Sequence, residues 1–193
     1  RAETVEQAFG STDWLAFLEA LDADHALEYD QGNFRRALGW AIDPGEVDLA
    51  LTLTAGIARY WRWRGRLAEC RDWLDSSLSL PTPSDLGPTR ARLLRERAGL
   101  ARQSGAWRDA LRYGQEAAKA FQQVGDASGL ADALYELGWG ALLGGDFDEA
   151  ERLLREAIAL REEAPDRNIA SFPMVSLATV RRLRGDTEEA ARL

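Results

Sequence analysis

The sequence predicts an all-α protein that is built as a solenoid of stacked helical hairpins. Amphipathic helical patterns alternate with single glycines, and these glycines stand 40 residues apart. Small residues recur with the same spacing, five positions after each glycine and seven positions before it. A repeat of this length is typical of hairpins that bury their apolar faces only by stacking on one another. The glycines are Gly65, Gly105, Gly145 and Gly185, and the small residues are Cys70, Ala110, Ala150 and Ala190 after them and Ala58, Ala98, Gly138 and Ala178 before them.

Residues 1–45 form a leading helical segment ahead of the repeats. Their apolar pattern predicts two helices, one from Ser11 to about Leu21 and one from about Asp24 to Ile42. The sequence Asp43-Pro44-Gly45 ends the second helix, because proline removes a backbone donor and disfavours helix at the residue before it. The repeat array then occupies residues 46–193.

The array predicts four hairpins, at 46–80, 89–124, 127–164 and 168–193. In each, the glycine ends the first helix in the left-handed conformation, and Asp146 and Asp186 cap the second helix of their hairpins. The proline-rich residues 81–88 predict a stiff connection between the first two hairpins. The fourth hairpin stops a turn or two into its second helix and the chain begins with Arg1, so we expect a piece of a longer protein.

Composition excludes several classes of function. With 193 residues, 46% of them hydrophobic, the chain can bury a substantial core. A net charge of −8 disfavours duplex DNA as a partner, although arginine supplies every cation except Lys119. One cysteine and one histidine leave no disulfide and no thiolate or imidazole cluster, so we expect neither metal nor cofactor. The sequence lacks an apolar run long enough to span a bilayer, a signal peptide and a Walker loop.

The columns of the third hairpin resemble the tetratricopeptide repeat. They read Leu134-x-x-Leu137-Gly138-x-x-Ala141 and then Gly145-Asp-Phe147-Asp-Glu149-Ala150-x-x-x-Leu154-x-x-Ala157. The resemblance implies a right-handed α-solenoid with a period of 40 residues, in which six residues beyond the usual 34 lie in the loops. It also implies a non-enzymatic region that binds other proteins.

A narrower resemblance begins in the leading segment. The sequence Leu27-Glu28-x-Asp30-Gln31-Gly32-Asn33-Phe34-Arg35-x-Ala37-Leu38-x-Trp40-Ala41, followed by Tyr60-Trp61-Arg62-x-Arg64-Gly65, resembles large bacterial LuxR-type and SARP-type transcriptional regulators. In that family the repeats follow a signal-transducing NTPase module. The resemblance implies a cytoplasmic sensor region, with the NTPase and DNA-binding domains outside this chain and no contact with duplex DNA or membrane by this segment.

In tetratricopeptide arrays, the first helices of successive hairpins line a concave groove. The groove positions fall on six arginines, three aromatic residues and one acid, so we expect an anionic protein, peptide or small effector with an apolar anchor. The alternative is a solvated or ion-paired surface, with Glu96 or Glu136 as counter-charges. The predicted binding residues are Arg59, Arg62, Arg92, Arg95, Arg102, Tyr135, Trp139, Phe172 and Arg182, and the remaining positions are Thr52, Ala55, Gly99, Asp132, Leu142, Val175 and Thr179.

Two other functions stay open. The chain could be a free-standing scaffold that binds acidic peptides, or a single-stranded RNA binder that stacks bases on Tyr135, Trp139 and Phe172. An enzyme is disfavoured because no acid, base and oxyanion site assembles. His25 is interpreted as an ordinary helical residue and Cys70 as a buried spacer.

Overall fold

A computed structural model describes residues 24–42, 46–81, 83, 86–163, 171–186 and 190. These residues form helices and turns, so the predicted all-α fold of stacked hairpins is confirmed. The chain divides into two compact units, one ending at Thr89 and one beginning at Arg90, and each is described by itself. The helices are α1 (Asp24–Ile42), α2 (Val47–Trp63), α3 (Leu67–Leu78), α4 (Gly87–Gln103), α5 (Trp107–Val124), α6 (Ala127–Gly144), α7 (Phe147–Glu163) and α8 (Ser171–Arg184).

In the first unit, α1 packs against the hairpin formed by α2 and α3. Trp61 of α2 is fully buried and stacks on Trp73 of α3, with ring centroids 6.5 Å apart. The helix α1 is joined to α3 by Arg35, whose Nε and Nη2 donate to the carboxylate of Glu69 at 2.5 and 2.8 Å. Trp61 therefore belongs to the core, and the half-buried Trp73 covers it.

A polar pair occupies two columns that are apolar or small in the other hairpins. Thr54 and Ser77 are fully buried, and their hydroxyl oxygens lie 2.7 Å apart in a hydrogen bond. A buried hydroxyl without a hydrogen-bond partner is costly, and each of these two hydroxyls supplies the partner that the other needs. Thr54 departs from an otherwise apolar column, and its hydrogen bond to Ser77 gives the reason.

In the second unit, α5, α6, α7 and α8 pack in chain order, each against the next helix, and Arg97 of α4 lies over the ring of Tyr113 of α5. Leucines and alanines of α6 and α7 form a core with Leu177 and Val180 of α8. Glycines bring α6 close to both neighbours, because a Cβ at Gly138 would lie 3.0 Å from Leu154 and a Cβ at Gly140 would lie 3.1 Å from the backbone nitrogen of Leu111. The small-residue columns thus set the distance between helices.

The predicted turns form as expected. Gly65, Gly105, Gly145 and Gly185 have φ values of 72, 72, 84 and 93°, in the left-handed region. Asp146 caps α7 by accepting a hydrogen bond from the backbone N–H of Glu149 at 3.1 Å. A fifth left-handed glycine that the repeat columns do not include, Gly125 with φ of 71°, ends α5.

The helix boundaries agree with the sequence to within three residues, with one instructive shift. The connection predicted over 81–88 is shorter, because α4 begins at Gly87 and takes Pro88 into its first turn. The backbone N–H groups of the first helical turn have no acceptor within the helix, so a proline in that turn removes no helical hydrogen bond. The predicted helix from Ser11 to Leu21 and part of the fourth hairpin lie outside the described residues.

Candidate functional site

The predicted binding residues lie on the first helix of each hairpin. Those of the first unit, Arg59 and Arg62, are on α2. Those of the second unit share the surface formed by α4, α6 and α8, which we call the first-helix face. Its side chains range from half-buried to exposed, and they are Arg92, Arg95 and Arg102 of α4, Tyr135 and Trp139 of α6, and Phe172, Val175, Thr179 and Arg182 of α8.

Arg102 is the centre of an arginine–aromatic cluster on this face. Its guanidinium carbon lies 5.8 Å from the ring centroid of Tyr135 and 5.7 Å from that of Trp139. Its Nε donates to Oε2 of Glu136 at 2.6 Å. Because Tyr135, Glu136 and Trp139 lie within five residues of one helix, α6 contacts the guanidinium at three points. Ring faces and a carboxylate each attract a cation, so the cluster orients Arg102.

Arg95 belongs to a different arrangement, an ion-pair network that joins three helices. Its Nη1 donates to Asp132 of α6 at 2.8 Å and its Nη2 to Glu96 at 2.9 Å. Asp132 also pairs with Arg161 of α7, which is 4% exposed. Burial lowers the pKa of Arg95, but the charges of Glu96 and Asp132 outweigh it and hold that pKa above its ordinary value. The guanidinium of Arg95 is therefore fixed by ion pairs within the protein.

A chain of hydrogen bonds joins α6 to α8. The indole Nε1 of Trp139 donates to Oγ of Ser176 at 2.9 Å, and that hydroxyl donates to the backbone oxygen of Phe172 at 2.9 Å. Trp139 is thus a fixed, half-buried ring rather than a mobile one. On the same α8 helix as Ser176, Phe172 and Val175 are 55% and 68% exposed.

The C-terminal half of α8 is anchored to α7. Nη2 of Arg181 donates to Glu151 at 3.0 Å, and Nη1 of Arg184 lies 2.8 Å from Asp148 and 2.8 Å from Glu151. With the residues of the α6–α7 turn, Arg184 and Asp148 line an open cavity of about 480 Å³. These ion pairs and the buried Leu177 and Val180 fix α8, so the exposed side chains of its first-helix face have a defined position.

The structure brings together part of the predicted site. It unites Arg102, Tyr135 and Trp139, and it links Trp139 through Ser176 to the backbone of Phe172. Two of the remaining groove positions, Gly99 and Leu142, are buried and cannot contact a ligand. Arg59 and Arg62 belong to the other unit, and Arg92 and Arg182 lie exposed on α4 and α8.

Four side chains that pair with groove positions are not among the predicted binding residues. Glu96 and Glu136 were named as possible counter-charges, and both pair with face arginines. Arg161 and Ser176 were not foreseen. Ser176 lies 40 residues after Glu136, so the repeat spacing offered a signal for it, whereas Arg161 lies on a second helix and no pattern indicated its reach to Asp132.

The described residues provide neither a metal site nor a membrane-spanning helix. No group of histidine, cysteine, aspartate or glutamate side chains among them is arranged to hold a metal ion. None of the described helices combines the length and apolar character needed to cross a bilayer.

Comparisons with known proteins agree with this geometry. The tetratricopeptide repeat family model matches residues 89–163, which contain most of α4 and all of α5, α6 and α7. This part of the chain is a tetratricopeptide-like repeat region. It carries the Arg102 cluster and the Arg95 network, while α8 lies beyond the matched residues. No curated protein matches the sequence.

Two solved structures share the fold of this chain. The crystal structure of BtubC (BKLC) from P. vanneervenii has a TM-score of 0.70 at 20% identity, covering 98% of this chain and 84% of that one. The structure of a Rap protein complexed with Competence and Sporulation Factor has a TM-score of 0.66 at 22% identity, covering 86% of this chain and 49% of that one. At these identities the likeness concerns the fold.

Proposed function

We propose that the first-helix face of α4, α6 and α8 is a non-enzymatic binding surface for a protein or peptide segment that carries an acidic group and an apolar side chain. The observation that carries the proposal is the combination of exposed apolar side chains at Phe172 and Val175 with the neighbouring cluster of Trp139, Tyr135 and Arg102. Aromatic and arginine side chains are the types that dominate the energy of protein interfaces.

The face is preorganised, which favours binding. The Trp139–Ser176 hydrogen bond and the contacts of Arg102 with α6 hold these side chains before any partner arrives. A partner therefore loses little free energy in ordering the receptor. The known structure of a Rap protein with a bound factor supports the use of this fold for binding another molecule.

The charge of the face favours an acidic partner, but less strongly than the number of arginines indicates. Arg95 and Arg102 face Glu96, Asp132 and Glu136. Attraction over a long range is therefore weak, and recognition depends on short contacts. Arg92 and Arg182 extend the proposed acidic contacts along α4 and α8. In the first unit, considered by itself, Arg59 and Arg62 of α2 stay proposed contacts for an acidic group.

For the wider context, we propose that the repeats sense a partner within a cytoplasmic bacterial regulator of the LuxR or SARP type. The support is the resemblance, which covers residues from about Trp14 to Leu193 and is carried by the motifs at residues 27–41 and 60–74. In such a protein, binding to the repeats would bias an NTPase switch only if the partner's affinity differed between the two states. Sequencing the gene on both sides tests this context, since it predicts a Walker loop upstream and a helix-turn-helix in the same reading frame.

Selection of peptides tests the binding function. Phage-displayed 12-residue peptides are selected on the full chain, and the recovered peptides are titrated against variants by fluorescence anisotropy. Val175→Asp should weaken binding about tenfold or more, because it places a charge in the apolar contact. The matched control is Val124→Asp, at an exposed valine at the end of α5. Equal affinity of both variants for every peptide contradicts the proposal.

A further inference from the structure

We propose that Arg102 is a receptor for one carboxylate of the bound segment, and that it selects a carboxylate that stands next to an apolar side chain. The inference rests on the proposed function and names the chemical group that the first-helix face recognises. It follows from which donors of Arg102 the protein itself uses and which it leaves for a ligand.

The guanidinium of Arg102 is fixed by a hydrogen bond from its Nε and by two neighbouring rings. Its Nε donates to Glu136 at 2.6 Å, and the rings of Tyr135 and Trp139 flank it at 5.8 and 5.7 Å. Within the described part of the chain, its two terminal NH2 groups donate no hydrogen bond. The side chain is 26% exposed, so solvent and ligand have access to it.

Arg95 shows the opposite arrangement at a nearly equal exposure of 25%. Its Nη1 and Nη2 both donate to carboxylates of the protein, those of Asp132 and Glu96. The two arginines lie seven residues apart on α4 and differ in their partners. Both terminal nitrogens of Arg95 donate to the protein, whereas among the described residues neither terminal nitrogen of Arg102 does.

A carboxylate is the group that this arrangement fits best. Two parallel N–H donors in one plane match the two oxygens of a carboxylate. Glu136 already balances the charge of Arg102, so an anion gains little from charge alone and must engage the donors with correct geometry. The rings of Tyr135 and Trp139 offer apolar area directly beside the donors, which favours a carboxylate with an apolar neighbour.

Small probes test the receptor without knowledge of the natural partner. The full chain is labelled with ¹⁵N, and the Nε–H signal of Arg102 and the indole N–H signal of Trp139 are followed by NMR. The probes are N-acetylphenylalanine, N-acetyl-Asp-Phe-amide, N-acetylphenylalanine amide and inorganic phosphate. The first two distinguish a C-terminal carboxylate from a side-chain carboxylate, the third lacks the charge, and the fourth is a tetrahedral anion.

We expect saturable shifts of both signals with at least one of the two carboxylate probes, and none with the amide or with phosphate. The inference would be overturned if the amide or phosphate caused shifts as large as those of the carboxylate probes, or if neither carboxylate probe caused shifts. Because the two carboxylate probes share the phenylalanine ring, the stronger of them identifies the source of the carboxylate.

Variants separate the geometry of the fork from simple charge. Arg102→Gln should weaken carboxylate binding about 10- to 100-fold, as expected for a lost charge-assisted pair. Arg102→Lys keeps the charge but not the planar fork, and should also weaken binding at least about tenfold. Arg152→Gln removes the same charge from an exposed position on α7 and should leave binding unchanged. The dispersion of the NMR spectra reports whether each variant is folded.

The peptides selected on the whole face distinguish this inference from the proposed function. If they bind Arg102→Gln as tightly as the parent chain but lose affinity for Val175→Asp, the face binds peptides and the carboxylate receptor is wrong. If neither variant changes their affinity, the proposed function itself fails.

Discussion

Gly129 is the position where a single added methyl group should damage the second unit most clearly. It lies in the first turn of α6, and a Cβ there would overlap Cε1 and Cδ1 of Phe121 and approach Oδ2 of Asp126 at 2.7 Å. Phe121 is 1% exposed, so its ring has no free space to enter. Asp126 caps α6 by accepting the N–H of Gly129 at 2.8 Å.

The expected cost of Gly129→Ala follows from three contributions. Overpacking against a buried ring costs about 1–3 kcal/mol. Disturbance of the Asp126 cap adds up to about 1 kcal/mol. The better helix propensity of alanine returns at most about 1 kcal/mol. We therefore expect the free energy of unfolding to fall by about 1–3 kcal/mol.

Urea unfolding followed by circular dichroism measures this change. Gly56→Ala on α2 is the control, because no atom beyond its chain neighbours and the adjacent backbone of its own helix lies within 4 Å of the added Cβ. It should raise the free energy of unfolding by about 0.5–1 kcal/mol. Phe121→Leu in the Gly129→Ala background should restore part of the loss, with a coupling of about 1 kcal/mol. A stabilising effect of Gly129→Ala equal to that of Gly56→Ala would refute the close packing of α5 and α6.

Three further predictions concern other parts of the fold. Thr54→Val strands the hydroxyl of Ser77 and should cost about 1–3 kcal/mol in urea unfolding, and the double variant with Ser77→Ala should recover part of that loss, contrary to simple additivity. The hydrogen bond from Arg35 holds the pKa of Glu69 below its ordinary value of 4.5, so its contribution to stability is present above pH 4.5 and is lost as the pH falls through the lowered pKa. In Arg35→Gln, an NMR titration should show that pKa rise toward 4.5, and an unchanged pKa would count against the pair. Gly145→Ala, at a φ of 84°, should lower the free energy of unfolding by about 1 kcal/mol, whereas no loss would argue against the left-handed turn.

The sequence predicted the hairpins well because each turn depends on a local property. A left-handed backbone favours glycine, so Gly65, Gly105 and Gly145 mark the turns within the hairpins. Gly125 has the same conformation but lies between hairpins, where the loop positions do not follow the repeat columns. The start of α4 at Gly87 was missed because proline was interpreted as part of a connection, although Pro88 suits the first turn of a helix.

The site was predicted less completely because its geometry depends on contacts between helices. The repeat positions placed Arg102, Tyr135 and Trp139 on one face, and the structure brings them together. The same positions could not show that both Nη groups of Arg95 are engaged while those of Arg102 are not. That difference depends on the reach of acidic side chains from α4 and α6, which periodicity does not specify.

Mapping a selected peptide onto the protein tests the central claim, that the first-helix face of the second unit binds a partner. Backbone amide shifts of the ¹⁵N-labelled chain are recorded with increasing peptide. The claim predicts that the largest changes fall on Arg102, Trp139, Phe172 and Val175, with small changes on α5 and α7. Changes confined to α5 and α7, with the first-helix face unaffected at saturation, would contradict it.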